Sequence, residues 1–204
     1  MDNQRLLFDT PDDSQVIHDY MDVPGLMFSS GFVASSDQHE ILDDLDGREW
    51  LVDLKRRVQH YGYKYDYRAR RVDHSMYVGE LPKFAQQLAG ALVANGLMPK
   101  MADQLIINEY QPGQGISAHI DCEPCFEDFI ATISLGWEYE MDLISTTSDR
   151  KVSVMLPIGS ALIFSGDARN YWKHQIRARK SDNGIPRQRR VSLTFRTVIL
   201  ENGE

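Results

Sequence analysis

Cysteine is scarce in this 204-residue chain, with only Cys122 and Cys125. A disulfide framework in a small secreted domain usually rests on about four or more cysteines, so a reducing compartment is expected. No run approaches the roughly 18 uninterrupted apolar residues of a membrane span. The acidic, polar first twenty residues hold no apolar stretch of a secretory signal. A cytoplasmic chain with no membrane partner is therefore expected. Internal repeats and low-complexity tracts are also missing. What is present is ordinary for a soluble globular protein: 42% hydrophobic and 25% charged residues, a balance that argues against disorder, collagen and a membrane bundle. The length fits one domain of about 150 residues with an extension. Such a chain buries roughly 70% of its unfolded surface without covalent staples.

The formal charge of -8 is unevenly spread. Residues 1–54 hold 13 acids and 2 bases, whereas 55–204 hold 17 acids and 20 bases. Seven of the bases lie in 55–71 and nine in 169–196. An acidic chain does not coat nucleic acid indiscriminately, because non-specific binding sums phosphate neutralisation. A local basic strip can still hold a phosphate backbone beside a pocket, and a solvated Arg-rich face is the competing reading.

Residues 1–20 read as an acidic, mobile arm, with Pro11 and several aspartates offering little to bury. Asp37 and Glu40 have the spacing of a capping box, and Ile41, Leu42 and Leu45 predict a short helix ending near Gly47. Tyr61, Tyr63, Tyr65 and Tyr67 recur at period two, which predicts an extended segment with one aromatic face. Leu81-Pro82 opens a second helix with Phe84, Leu88, Ala91 and Leu92 on one stripe and Gly96 at its end. From residue 104 the texture changes to short apolar or alternating runs separated by turn residues, namely QLIINEY, FIATISLG, YEMDLIS, KVSVMLP, SALIFSG and RVSLTFRTVIL. Many short strands without intervening helices indicate a sandwich, jelly roll or barrel, here braced by two helices.

His119 and Asp121 stand two positions apart, so in an extended segment both side chains point the same way. His174 follows 53 residues after Asp121, a distance over which a rolled sheet can return to the same place. Two imidazoles and one carboxylate form the facial set that holds non-haem Fe(II) and leaves positions free for oxygen and a chelating co-substrate. In the last strand, alternation puts Arg190, Ser192, Thr194 and Arg196 on one face and Val191, Leu193 and Phe195 on the other. Arginines turned inward need anions, because an unpaired buried guanidinium is costly. A dicarboxylate is a suitable partner, gripped by paired hydrogen bonds.

The stretch from Asn108 to Asp121, followed by His174 and by Arg190 to Arg196, resembles the AlkB family of Fe(II)- and 2-oxoglutarate-dependent dioxygenases. The likeness covers roughly residues 60–200 and every part of the pattern N-x-Y, H-x-D, H, R-x-[NS]-x-T-x-R in order. YGYKYDY, YQPGQGISAHID and SLG look most similar to the subgroup of the tRNA wobble-uridine hydroxylase and certain bacterial members. The resemblance implies a double-stranded β-helix, or jelly roll, in a mainly β chain with flanking helices. It implies one dioxygenase domain over 21–204, with a nucleotide-recognition lid at 55–78 and a jelly-roll core at 100–200. His119, Asp121 and His174 would bind Fe(II). Arg190 would pair with the distal carboxylate of 2-oxoglutarate with help from Tyr110, while Arg196 and Asn108 would lie near its chelating end. Thr194 would line the pocket, and Ser192 stands where many members have a longer Asn.

Oxidative decarboxylation of 2-oxoglutarate by O2 would then accompany hydroxylation of a substrate carbon. If that carbon sits on a base nitrogen, the hemiaminal loses an aldehyde and the base is restored. A base inside a duplex cannot reach the iron, so single-stranded or flipped-out DNA or RNA is the implied partner. Tyr63, Tyr65, Tyr67 and Arg68 combine stacking surface with phosphate-binding charge, as single-strand recognition requires; a packed strand face shows the same period. Glu123 occupies a position where a family acid touches an exocyclic amine, and Arg169 is a further substrate-contact candidate. Cys122-x-x-Cys125 is half of a common zinc site, but no second pair completes it, so both are read as thiols of the loop after the ligands, open to oxidation. The leading expectation is a monomeric enzyme that dealkylates damaged bases. Hydroxylation of a modified tRNA base is the alternative, weakened because that relative usually carries partner domains beyond a chain of this length. A catalytically silent jelly-roll binding module is the third, opposed by the intact ligand set.

Overall fold

The runs read after residue 104 do become strands, and their order places the ligand candidates. A computed structural model describes residues 16–52 and 55–200. Most of the expected arm over 1–20 thus lies outside the described residues. In chain order the elements are β1 (Val16–Ile17), β2 (Leu26–Ser29), α1 (Ser35–Asp46), β3 (Val58–Tyr63), β4 (Tyr77–Gly79), α2 (Lys83–Ala94), β5 (Gln104–Tyr110), β6 (Ile116–His119), β7 (Ile130–Leu135), β8 (Tyr139–Ser145), β9 (Lys151–Leu156), β10 (Ala161–Phe164), α3 (Gly166–Tyr171), β11 (Trp172–Ile176), β12 (Ser181–Asp182), β13 (Ile185–Pro186) and β14 (Arg190–Arg196). Eight strands form one sheet in the order β1-β2-β10-β7-β14-β5-β3-β4, and four form a second, β6-β11-β8-β9. All recorded pairings are antiparallel. This is the expected mainly β jelly roll with flanking helices.

Strand β14 lies between β5 and β7, in register from Arg190 opposite Tyr110 to Arg196 opposite Gln104. Its Val191, Leu193 and Phe195 are fully buried with Ile41 and Leu45 of α1, Leu88 and Leu92 of α2, and Ile107 of β5. Truncating a side chain such as Phe195 to alanine in that layer costs about 3–5 kcal/mol. The alternate face of β14 turns its polar residues toward the second sheet. There Tyr139, Leu143, Leu156, Leu162 and Phe164 form a separate core. The strand is thus buried on both sides, and its polar row can only look into a cavity.

Two expectations are corrected. Helix α1 begins at Ser35 behind Ala34, with Asp37 and Gln38 amides donating to the Ala34 carbonyl, so Asp37 lies inside the first turn and caps nothing. The tyrosines do not share one face. Gly62 adopts φ +74°, and a Cβ there would fall 1.8 Å from the Asp103 carbonyl oxygen. The register between β3 and β4 shifts at that residue, which breaks the period of two. Tyr61 packs with the helix-side core, Tyr63 and Tyr65 pack on Phe126 and Val72, and Tyr67 stands beyond the strand.

Candidate active site

His119 ends β6 and His174 sits mid-way along β11, and these two strands pair so that His174 is directly opposite His119. The rings are 4.3 Å apart between centroids. Asp121 follows two residues on, its Oδ1 3.7 Å from His119 Nε2. One ligand atom from each of the three lies within 4.8 Å of the others, so the set could hold one ion. His119 Nδ1 lies 2.8 Å from the Ser117 carbonyl oxygen. A carbonyl can only accept, so Nδ1 carries the proton and the Nε2 lone pair is left for a metal.

Asp121, 9% exposed, receives Nε and Nη2 of Arg196 on its two oxygens at 3.2 and 3.3 Å. Burial pushes this carboxyl up, but the Arg196 guanidinium and then His174 and His119 bring it well below the usual carboxylate range. Burial, reinforced by His119, pushes His174 down to about 3. An ionised aspartate and a neutral imidazole are the forms that ligate metal.

Arg190 is 1% exposed. Its Nη2 donates to Ser134 Oγ at 2.9 Å, its Nε finds no partner, and the rings of Tyr110 and Tyr139 lie 5.5 and 6.0 Å from its carbon centre. Burial pushes the guanidinium down to about 10. Among the described residues no carboxylate pairs with it, which leaves a buried cation suited to an incoming anion. Beside it is a cavity of about 50 Å³ lined by Asn108, Tyr110, Thr132, His174, Ser192 and Thr194 among others. The orphaned Nε and this donor set fit the distal carboxylate of a small diacid. Ser192 Oγ bonds Thr132 Oγ1 at 2.9 Å, so the shorter side chain is engaged within the wall.

A second, larger cleft of about 930 Å³ opens on the other side of the ligands. Asn108, Ile116, His119, Asp121 and Arg196 line both spaces and form the partition. The cleft carries Lys55, Arg56, Arg70 and Lys173 together with Tyr65, Tyr67 and Phe126. Of the substrate-contact candidates, Tyr65, Tyr67 and Glu123 line it. Tyr63 instead tilts against Tyr77 at 5.2 Å, and Arg68 is exposed in a turn where its amide donates to Asp66. Arg169 is buried behind the loop. It donates to the carbonyls of Asp121 and Cys122 at 3.0 and 3.3 Å and lines neither space.

Several residues escaped sequence reasoning. Ser134 and Thr132 are the polar positions of β7, otherwise apolar, and lie opposite Ser192 and Thr194 in register; alternation within ATIS was the available signal. Arg56, whose Nε donates to Asn108 Oδ1 at 2.7 Å, and Lys173, beside His174, carried only the general signal of the basic clusters at 55–71 and 169–196. The two expected thiols are corrected: Cys122 and Cys125 are bonded to each other, because the turn after Asp121 brings their Cα atoms to 5.3 Å.

A pattern described as the 2OG-Fe(II) oxygenase superfamily matches residues 37–196. An Arabidopsis thaliana protein named "Alkylated DNA repair protein ALKBH8 homolog" is 36% identical over 90% of this chain and 61% of its own length. The Xenopus tropicalis "tRNA (carboxymethyluridine(34)-5-O)-methyltransferase alkbh8" is 39% identical over 78% of this chain and 26% of its own. The chain therefore spans only part of these relatives. Among solved structures, that of OsALKBH1 superposes with a TM-score of 0.70 at 19% identity, over 85% of this chain and 97% of that one, a likeness of fold. Among the described residues no helix is long and apolar enough to cross a membrane.

Proposed function

This chain belongs to the AlkB-like part of the 2OG-Fe(II) oxygenase superfamily, and from that premise we propose that it oxidatively dealkylates bases in single-stranded DNA or RNA. The family uses Fe(II), 2-oxoglutarate and O2, and the chain is a dioxygenase of that kind. The observation that carries the substrate reading is the partition: His119 and Asp121 border a small cavity lined by Arg190 on one side and a much larger cleft with basic and aromatic walls on the other.

His119, Asp121 and His174 would hold Fe(II), which with 2-oxoglutarate and O2 supplies C–H hydroxylation coupled to release of succinate and CO2. The residues of the chain do the rest. Arg190 and Ser134 fix the distal carboxylate, and Tyr110 walls its stem. Arg196 holds Asp121 ionised and oriented, and Gln104 Oε1 accepts from Arg196 Nη1 at 3.2 Å to keep that fork in place. Ile130, Met141, Phe164 and Ile176 give the inner space its apolar wall. In the outer cleft Tyr65 and Tyr67, edge to face at 4.9 Å, offer stacking surface to an extruded base, and Lys55, Arg56, Arg70 and Lys173 offer charge to its phosphates. Glu123, also lining this cleft, would accept from an exocyclic amine.

The second reading, hydroxylation of a modified tRNA uridine, is favoured by the tRNA uridine name of the Xenopus relative. Both are tested by mass spectrometry of alkylated DNA and RNA oligonucleotides and of tRNA after incubation with Fe(II) and 2-oxoglutarate. Loss of the alkyl group with aldehyde release supports dealkylation, and gain of one oxygen on a retained side arm supports the second reading. Succinate formation that no nucleic acid stimulates would overturn both.

A further inference from the structure

Cys122 and Cys125 form a disulfide that the proposed chemistry does not use. Its position gives it consequences. Cys122 follows Asp121 directly and lines the outer cleft. The turn closed by the pair has the amides of Cys125 and Phe126 donating to the Cys122 carbonyl, both at 3.2 Å, and Arg169 grips the same loop from behind. Both sulfurs lie against one acceptor, the Arg70 carbonyl oxygen, at 3.3 and 3.2 Å. Arg70 belongs to the 64–72 segment bordering the cleft and adopts left-handed backbone, φ 51°, within a turn closed by the Asp66 amide donating to the Arg71 carbonyl at 3.2 Å. The remaining neighbours of the pair are Val72, Phe126 and Val198, with Tyr63 and Tyr65, so the disulfide and the segment share one packing cluster.

A disulfide sulfur has no hydrogen to give, whereas each thiol is a weak donor. We propose that Cys122 and Cys125 are a reversible dithiol–disulfide site that sets how firmly the 64–72 segment is held beside the cleft, tightly when reduced and loosely when oxidised. In oxidation by a peroxide, the two thiols form the S–S bond and give up two electrons and two protons, and the O–O bond breaks to yield two waters. In reduction by a dithiol, one of its thiolates attacks a sulfur of the pair. Its second thiol then releases the mixed disulfide, leaving two cysteine thiols and an oxidised reductant. Access runs through the cleft, since the cysteines are otherwise buried at 4% and 3% exposure. The effect on substrate binding rests on the cleft being the nucleic-acid entrance; the redox site itself does not.

The test is backbone hydrogen exchange over residues 64–72 in the full chain, treated with hydrogen peroxide or with dithiothreitol, the redox state being verified by thiol alkylation and intact mass. It needs neither substrate nor turnover, so its failure and the failure of the proposed activity are separable. Exchange is expected to be about threefold slower in the reduced chain, the scale of one modest hydrogen bond. Cys122→Ser with Cys125→Ser keeps donors and should exchange at the reduced rate, whereas Cys122→Ala with Cys125→Ala should match the oxidised rate or exceed it. Equal exchange in both redox states, serine and alanine pairs that behave alike, or cysteines that stay alkylatable after peroxide would each overturn the proposal.

Discussion

The two spaces on either side of His119 and Asp121 are built differently. The inner one is walled by β5, β7, β11 and β14, whose registers leave each side chain one direction to point. The outer one borrows much of its wall from turns, with Tyr65, Tyr67 and Arg70 all outside regular strands. Strand-borne groups hold a fixed small ligand at low reorganisation cost, whereas turn-borne groups can yield to a large and variable one.

The sharpest way to break the comparison is at the partition. His119→Ala or His174→Ala is expected to lower turnover by more than the roughly 10–100-fold that loss of a ligand's outer-shell partner costs, since here the ligand itself is removed. Succinate release and metal titration check this, and retained iron-dependent turnover in either variant would remove the assignment. On the inner side, Arg190→Met should raise the 2-oxoglutarate KM by about a hundredfold, within the 2–5 kcal/mol lost with a buried charge-pair partner. The same change should leave oligonucleotide affinity alone. Because it removes an uncompensated buried cation, the metal-free variant should melt no lower than the parent. On the outer side, Tyr65→Ala with Tyr67→Ala should weaken oligonucleotide binding by about tenfold or more, at 1–3 kcal/mol per stacked base. The 2-oxoglutarate KM should stay constant. Equal losses on both sides would show that the two spaces fold as one.

The same division explains what was legible in the residues. The direction of His119, the β14 polar row and the strand runs follow from period two and stay true once strands form, because a sheet fixes which face each residue takes, while Asp121 continues the same direction just past the end of β6. Tyr61 to Tyr67 obeyed the same period, yet Gly62 breaks it, and a single left-handed glycine leaves no mark on an alternation count. Asp37 and Glu40 matched a cap spacing by chance, since Ala34 already ends the extended segment. Arg169 was expected at the substrate and instead holds two backbone carbonyls, a partnership between residues 48 positions apart that no local pattern records. The paired cysteines were read from counts, which speak to compartment, whereas the turn geometry after Asp121 decides whether two sulfurs meet.

The smallest effect concerns the link between the two regions. Glu109 points away from the site on β5 and accepts from Arg57 at 2.6 Å and from Arg189 at 2.7 Å. The first precedes the outer-cleft segment and the second precedes β14. Burial pushes this carboxyl up, and the hydrogen bonds from Arg57 and Arg189 more than reverse that, so it lies below its ordinary value. A depressed folded pKa means the stabilisation is complete above the unfolded value of about 4.3 and is lost as pH falls through the folded one. The melting temperature should therefore drop on acidification below that point in the parent and less so in Glu109→Gln. Arg57 is 43% exposed on its side chain, so solvent screens its share, and Arg57→Ala should cost at most about 1 kcal/mol. If the link transmits only toward the outer cleft, that variant shifts oligonucleotide affinity by about twofold, well inside that limit, and leaves the 2-oxoglutarate KM where it was. A larger change in the 2-oxoglutarate KM than in oligonucleotide affinity would mean that β5 carries strain from the turn-built wall into the strand-built one.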